Sequence, residues 1–76
     1  MPPLPIINSK EFIKFLLSLG FEFVRQKGSH QRYKHRDGRA ITVPVHGKEN
    51  LKRGLLNGML NELNIEVEEL IKFLGR

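Results

Sequence analysis

The residues of this chain best suited to acid–base chemistry are its three histidines, His30, His35 and His46, which all lie between Arg25 and Arg53. A histidine ordinarily titrates near pH ~6.5, so it can accept and donate a proton at neutral pH. The same segment holds nine Lys or Arg and two acidic residues, a net charge of +7, whereas the whole chain carries +5. Concentrated positive charge is typical of a surface that binds a polyanion, nucleic acid first; the alternative is a basic surface that is merely solvated.

His30 is the leading candidate for catalysis. Cleavage of RNA requires that a 2′-hydroxyl lose a proton as it attacks the adjacent phosphorus and that the leaving 5′-oxygen gain one. The phosphorane formed is more negative than the ground state, so nearby cations stabilise it, and Lys27, Arg32 and Lys34 are close in sequence. Gly28 permits an unusual backbone conformation and the close approach of a phosphate. The alternative is an exposed strand histidine without a catalytic role.

The other two histidines have weaker claims. His46 follows a strand and could be a second acid–base group or a phosphate ligand; a hydrogen bond that orients its loop is an equal alternative. His35 lies beside a predicted turn and is expected at a solvated strand end. The spacing of the three histidines matches no common metal-ligand pattern, so no metal or other cofactor is expected.

A second basic cluster lies at the predicted start of a helix. Lys52 and Arg53 would stand in its first turn, where cations oppose the helix dipole. Together with Lys48 and the free amides of the helix start, they could bind an RNA phosphate. The alternative is that the helix begins a few residues away, which removes the conflict.

Hydrophobic periodicity and turn signals predict the elements that would position these groups. Asn8 and Glu11 form a capping-box pattern before a first helix, which Gly20 should end. The predicted order is α-β-β-β-α-α: this helix, strands over 21–26, 30–35 and 40–43, a helix over 51–63 and a short C-terminal helix reaching Leu74. We therefore expect an α+β fold with a three-stranded antiparallel sheet and helices packed on one face.

The register of the second hairpin decides which residues share a face. A two-residue loop at Asp37-Gly38 would mix charged and apolar side chains on both faces of the sheet. A three-residue loop with Gly38 left-handed pairs Tyr33 with Ile41 and separates the two kinds. We favour the second register, which packs Tyr33 in the core; the alternative role for its ring is stacking on an RNA base. The opposite face of the sheet then carries these polar residues: His30, Arg32, Lys34 and Thr42.

Length and composition limit the remaining possibilities. The 76 residues predict one domain, 1–76, with an extended, proline-rich segment at 1–7. Cysteine is absent, which excludes disulfides and thiolate metal sites, and a chain this short is marginally stable without a partner. No apolar run is long enough to span a membrane, so a cytoplasmic protein is expected. Gly54 and Gly58 share one face of the second main helix, which suggests close packing or the approach of a partner.

The ordered motifs resemble those of the HicA toxins of toxin–antitoxin systems. The resemblance covers about residues 8–74 and rests on these segments: Leu19-Gly20-Phe21, Gly28-Ser29-His30, Tyr33, Asp37-Gly38-Arg39, Thr42-Val43-Pro44 and His46-Gly47-Lys48-Glu49. It implies a double-stranded-RNA-binding-domain-like fold, ribosome-independent cleavage of mRNA, and an essential histidine, which is His30 here. It also implies a HicB-type antitoxin that covers the active face and represses the shared operon. One departure is Gly54-Leu55-Leu56, where family members often carry Gly-Thr-Leu, so a hydroxyl contact there is in doubt.

Residues and resemblance together predict a toxin that is a metal-independent endoribonuclease, with mRNA and the antitoxin as partners. His30 is the predicted general acid/base. The predicted RNA-binding residues are Lys27, Gly28, Ser29, Arg32, Lys34, Arg39, His46, Lys48, Lys52 and Arg53. The alternatives are a non-catalytic RNA-binding module of the same fold and a protein-interaction domain for an acidic partner.

Overall fold

The computed structural model describes residues 3–76 and contains three helices and one sheet. The elements are α1 (Ser9–Ser18), β1 (Glu22–Lys27), β2 (His30–Lys34), β3 (Ala40–Pro44), α2 (Arg53–Glu62) and α3 (Val67–Leu74). The strands form an antiparallel sheet in the order β1-β2-β3. The predicted α+β class and the α-β-β-β-α order with a short C-terminal helix are confirmed, and the layout is that of a double-stranded-RNA-binding-like domain.

Local sequence signals account for both ends of α1. The Asn8 side chain accepts a hydrogen bond from the Glu11 amide (2.9 Å), and the Glu11 carboxylate accepts one from the Asn8 amide (3.2 Å), which is the predicted capping box. At the other end Gly20 has a φ of 98°, and the Phe21 amide donates to the Leu16 carbonyl at 3.0 Å. This Schellman motif uses the amide of Phe21, so β1 begins at Glu22, one residue later than predicted.

The β2–β3 hairpin has the register that segregates charged from apolar side chains. Tyr33 pairs with Ile41 and Arg32 with Thr42. The His35 amide donates to the Arg39 carbonyl at 2.8 Å, which leaves a three-residue loop in which Gly38 has a φ of 100°. The prediction from the hydrophobic pattern is thus confirmed.

A β-bulge at Val24 interrupts β1, which was predicted as an uninterrupted strand. Phe23 pairs with Tyr33 and Arg25 with Arg32, so Val24 is the extra residue on the β1 side. Residues directly opposite each other in an antiparallel pair share a face. The bulge therefore reverses the alternation of β1, so that Arg25 and Lys27 point away from the helices and Gln26 points toward them.

The helices cover one face of the sheet and enclose a single core. Its buried side chains come from all three helices, from β2 and β3, from the connecting segments and from the N-terminal segment: Ile7, Phe12, Phe15, Leu16, Phe21, Tyr33, Ile41, Val43, Leu56, Met59, Leu60, Leu63, Ile65 and Leu70. Asn64, just after the end of α2, has a φ of 57°. No helix within residues 3–76 has the length and apolar character that crossing a membrane requires.

The N-terminal segment is tied to the start of α2. Residues 3–7 form neither helix nor strand, and residues 1 and 2 of the predicted extended segment lie outside the described part of the chain. Asn8 forms an isolated antiparallel bridge with Asn50, and the Leu51 amide donates to the Ile7 carbonyl at 2.8 Å. This pairing keeps residues 50 and 51 extended, so α2 begins at Arg53 and not at Leu51 as predicted.

Candidate active site on the open face of the sheet

His30 lies at the first position of β2 on the face that the helices leave open. Its neighbours across the sheet are Lys27 on β1 and Pro44 on β3. The next row along the strands consists of Arg25, Arg32 and Thr42. These two rows surround an open depression lined by Arg25, Lys27, Gly28, His30, Arg32 and Thr42. The exposed imidazole of His30 therefore borders a depression with three cations and no carboxylate.

The turn before His30 has a defined geometry. Gly28 and Ser29 are the two loop residues between Lys27 and His30, which pair with each other. Gly28 has a φ of 60°, a conformation that suits glycine at the first loop position of a type II′ hairpin. A Cβ at Gly28 would meet nothing within 4 Å in the described chain, so the requirement for glycine is conformational.

A chain of side-chain hydrogen bonds holds this turn from the helix side of the sheet. The Tyr33 hydroxyl donates to the Gln31 side-chain oxygen at 2.7 Å, Gln31 donates to Gln26 at 3.2 Å, and Gln26 donates to the Gly28 carbonyl at 2.9 Å. Burial raises the pKa of the Tyr33 hydroxyl, which keeps it protonated as a donor. Tyr33 is 4% exposed, so the prediction that it belongs to the core is confirmed. The network links that core to the turn preceding His30.

The positive charges on the open face destabilise the sheet by mutual repulsion and favour the binding of an anionic ligand. Arg25 stands directly opposite Arg32, and like charges in that position destabilise a sheet. The Arg32 guanidinium donates to the Thr42 hydroxyl at 3.0 Å, which orients it along the row. Among the ion pairs within residues 3–76, none involves Arg25, Lys27 or Arg32. Their charges are thus available to bind a ligand.

His46 and Lys52 line a separate cavity next to the first depression. Pro44, which pairs with His30, forms part of its wall. Lys52 occupies the cap position of α2 without making a capping hydrogen bond, and Arg53 is the first helical residue; the first turn contains no acidic residue. The conflict between cation and dipole expected at this helix start is therefore present, although the helix begins two residues later than predicted. Lys48 is exposed in the loop between His46 and Lys52.

Two predicted RNA-binding residues lie at the far end of the β2–β3 hairpin. Lys34 shares the open face with His30 but is two rows away, opposite Glu22. The Arg39 guanidinium donates to the Leu63 carbonyl at 2.7 Å and to the Asp37 carboxylate at 2.8 Å. Arg39 thus joins the hairpin to the end of α2, and the structure does not bring it into the depression around His30.

His35 has a structural role, and the expectation of a solvated strand end is wrong. Its side chain is 16% exposed, its Nε2 lies 3.0 Å from the Leu19 carbonyl, and its Nδ1 accepts a hydrogen bond from the Asp37 amide at 3.1 Å. The imidazole packs edge-on against the ring of Phe21. His35 therefore connects the end of α1 to the hairpin turn. Within residues 3–76 no three His, Asp or Glu side chains come together as a metal site would require.

The predicted RNA-binding residues did not include Arg25 and Thr42, which both line the depression around His30, although the register had placed Thr42 on the open face. Arg25 was placed on an uninterrupted strand, and only the bulge at Val24 turns it to the open face. The sequence does contain a signal that this part of β1 is irregular. A strand with one face covered by helices normally alternates apolar and polar side chains, whereas Arg25, Gln26 and Lys27 are three consecutive long polar residues, two of them cations.

The fold and the site define a small α+β domain whose open sheet face surrounds an exposed histidine with cations. The chain belongs to the HicA toxin family: the model of that family, described as the HicA toxin of bacterial toxin–antitoxin systems, matches residues 9–65, which is most of the 76 residues. This match confirms the resemblance seen in the motifs and assigns the chain a toxin role. A comparison with curated proteins finds no match.

Proposed function

We propose that this toxin is a metal-independent endoribonuclease that cleaves mRNA in the cytoplasm, with His30 as its general acid/base. The observation that supports this most is the position of His30: an exposed imidazole in one cross-strand row with Lys27 and beside the Arg25–Arg32 row. Histidine is the side chain best matched to proton transfer at neutral pH.

The proposed reaction is an attack of the RNA on itself. His30 takes the proton of a 2′-hydroxyl as its oxygen forms a bond to the adjacent phosphorus, and the bond from phosphorus to the 5′-oxygen breaks. The 5′-oxygen receives a proton from the imidazolium, from water or from a second group, for which His46 is the candidate. Arg25, Lys27 and Arg32 stabilise the extra negative charge of the phosphorane. No step in this sequence needs a metal ion.

The remaining predicted ligands are assigned to binding. Gly28 and Ser29 form the turn that lets a phosphate approach the backbone near His30. Lys48, Lys52 and Arg53 extend the positive surface toward the start of α2, where unpaired helix amides favour an anion. Lys34 continues the open face, and for Arg39 the intramolecular bonds favour a structural role over contact with RNA.

We also propose a HicB-type antitoxin as the protein partner. The support is the family and the basic open face, which an acidic or RNA-mimicking surface would complement. Such a partner would add the stability that a 76-residue chain without disulfides lacks.

The experiment is incubation of RNA with purified wild type, His30→Ala and His46→Ala in excess chelator. We expect cleavage by the wild type and a loss of about 10²–10⁴-fold in rate for His30→Ala. Circular dichroism should show that the variant is folded, since the His30 side chain is exposed. Equal cleavage by wild type and His30→Ala would refute the role of His30. Retarded but intact RNA in every sample would favour the alternative, a non-catalytic RNA-binding module of the same fold.

A further inference from the structure

A cavity of about 230 Å³ lies where α1 and α2 begin, beside Pro44. It exists because the Asn8–Asn50 bridge holds the starts of the two helices together. The polar residues that line it are Ser9, His46, Glu49, Asn50 and Lys52, with apolar surface from Pro44, Leu51 and Leu55. Small-molecule sites usually start at roughly 300 Å³, so this cavity has room for one ring-sized group.

Ser9 contributes a hydroxyl that the isolated fold does not use. The residue is 1% exposed, and its Oγ has no hydrogen-bond partner within the described chain. It does not cap α1, because Asn8 performs that function. A buried hydroxyl without a partner costs stability, and alanine in its place would remove that cost. A ligand in the cavity would supply the missing partner.

The position of the cavity links it to the candidate active site. Pro44 forms part of its wall and is the direct cross-strand neighbour of His30, on the same face of the sheet. A nucleotide next to a phosphate bound at His30 would therefore have its base within reach of the cavity. His46 and Lys52 border the same space.

The chemistry of the lining distinguishes a base from a phosphate. A phosphate site needs donors and an excess of positive charge, and here the Glu49 carboxylate offsets the charge of Lys52. A nucleobase combines flat apolar faces with an edge of donors and acceptors, which matches Pro44 and Leu55 together with the hydroxyl of Ser9 and the amide of Asn50. Resting on the proposed ribonuclease function, we propose that this cavity binds one unstacked base of the RNA substrate, adjacent to the scissile phosphate, and gives the toxin its nucleotide preference.

The test uses the wild-type protein and follows its backbone amide signals by NMR. The probes are the four nucleoside 5′-monophosphates, with ribose 5-phosphate as a base-free control. We expect one nucleotide to shift the amides of Ser9, Asn50 and Leu51 at lower concentration than the others, and ribose 5-phosphate to leave them unchanged. Ser9→Ala should weaken binding of the preferred nucleotide about two- to tenfold, the loss of one hydrogen bond.

Ser18→Ala is the matched control, because this serine lies at the other end of α1 and donates to the Phe15 carbonyl at 2.6 Å. Equal shifts from ribose 5-phosphate would mean a phosphate site and overturn the proposal. The proposal would also be overturned if no nucleotide shifted the amides of Ser9, Asn50 and Leu51. It would equally be overturned if the Ser9→Ala and Ser18→Ala variants bound each of the four nucleotides with the same affinity. Asn50→Ala provides a second variant with an exposed side chain. The mononucleotides contain no bond for the nuclease to cleave, so this test does not depend on catalysis. Base binding can therefore be found even if the nuclease assay fails, and it can be absent even if RNA is cleaved.

Discussion

Replacing Arg25 by Gln should weaken RNA binding while it stabilises the fold. Gln keeps much of the side-chain length and removes the charge that faces Arg32 across the sheet. Relief of a like-charge pair in that position is worth about 0.2–1 kcal/mol. A change of 1 kcal/mol moves the melting temperature of a domain this size by roughly 4–8 °C, so we expect a rise of up to that amount. The expected effect on RNA has the opposite sign, because in the proposed function the same charge contacts a phosphate.

The size of the RNA effect follows from counterion release. Each phosphate contact with single-stranded nucleic acid contributes about 0.7 to the slope of log affinity against log salt. Loss of one contact should therefore lower the slope by about 0.7. The factor by which affinity falls between 50 and 200 mM salt should then be about 2.5-fold smaller than for the parent protein. The assay is fluorescence anisotropy with a labelled single-stranded RNA at four salt concentrations, in the His30→Ala background. Thermal melts of the same samples give the stability.

Lys14→Gln is the matched control, because this exposed lysine lies on α1 in the helix layer. It removes the same unit of charge from the opposite side of the sheet. An equal loss of slope for Arg25→Gln and Lys14→Gln would show that net charge alone governs binding. A loss of stability in Arg25→Gln would refute the repulsion between Arg25 and Arg32. The first of these results would also refute the open face as the RNA-binding surface.

Three further outcomes are expected. Gly54→Ala and Gly58→Ala should each stabilise the free protein by about 1 kcal/mol in chemical denaturation, since an added Cβ meets nothing within 4 Å in the described chain; no gain would indicate strain in α2. Arg39→Ala should destabilise by about 1.5–3 kcal/mol through loss of its bond to Leu63 and leave RNA affinity within twofold of wild type. Hydrogen bonds from the Arg39 amide and guanidinium hold the pKa of Asp37 below its usual 3.8. The ionised Asp37 carboxylate therefore stabilises the folded protein above about pH 3.8, and this stabilisation is lost as the pH falls through the lowered pKa. Asp37→Asn should therefore lose less stability than wild type when melts at about pH 5 and about pH 3 are compared; equal losses would contradict this.

Features that depend on a few neighbouring residues were predictable. The capping box of Asn8 and Glu11 spans three residues, and the hairpin register follows from the loop and the alternation of apolar side chains around Gly38. His30 was correctly placed on the open face by that register. Its chemical role stays a prediction, because exposure and charge around an imidazole permit catalysis without requiring it.

Features set by distant parts of the chain were not predictable. The bulge at Val24 depends on how β1 fits a partner strand, and the inward turn of Arg39 depends on where α2 ends. The start of α2 moved because the Leu51 amide is taken by Ile7, a contact that no local pattern records.

The bridge between Asn8 and Asn50 also affects when the site can form during synthesis. The β1–β2 turn that carries His30 is complete early in the chain, but the cavity beside it needs a contact between residues far apart in sequence. Distant contacts pay a larger loop-closure entropy and tend to form late in folding. A nascent chain that has not yet released α2 from the ribosome would therefore carry the histidine without a finished cavity. Leu51→Ala keeps this amide but removes a side chain that packs against the core beside the contact. It should therefore speed unfolding more than it slows folding in stopped-flow measurements, and the opposite result would place this contact early.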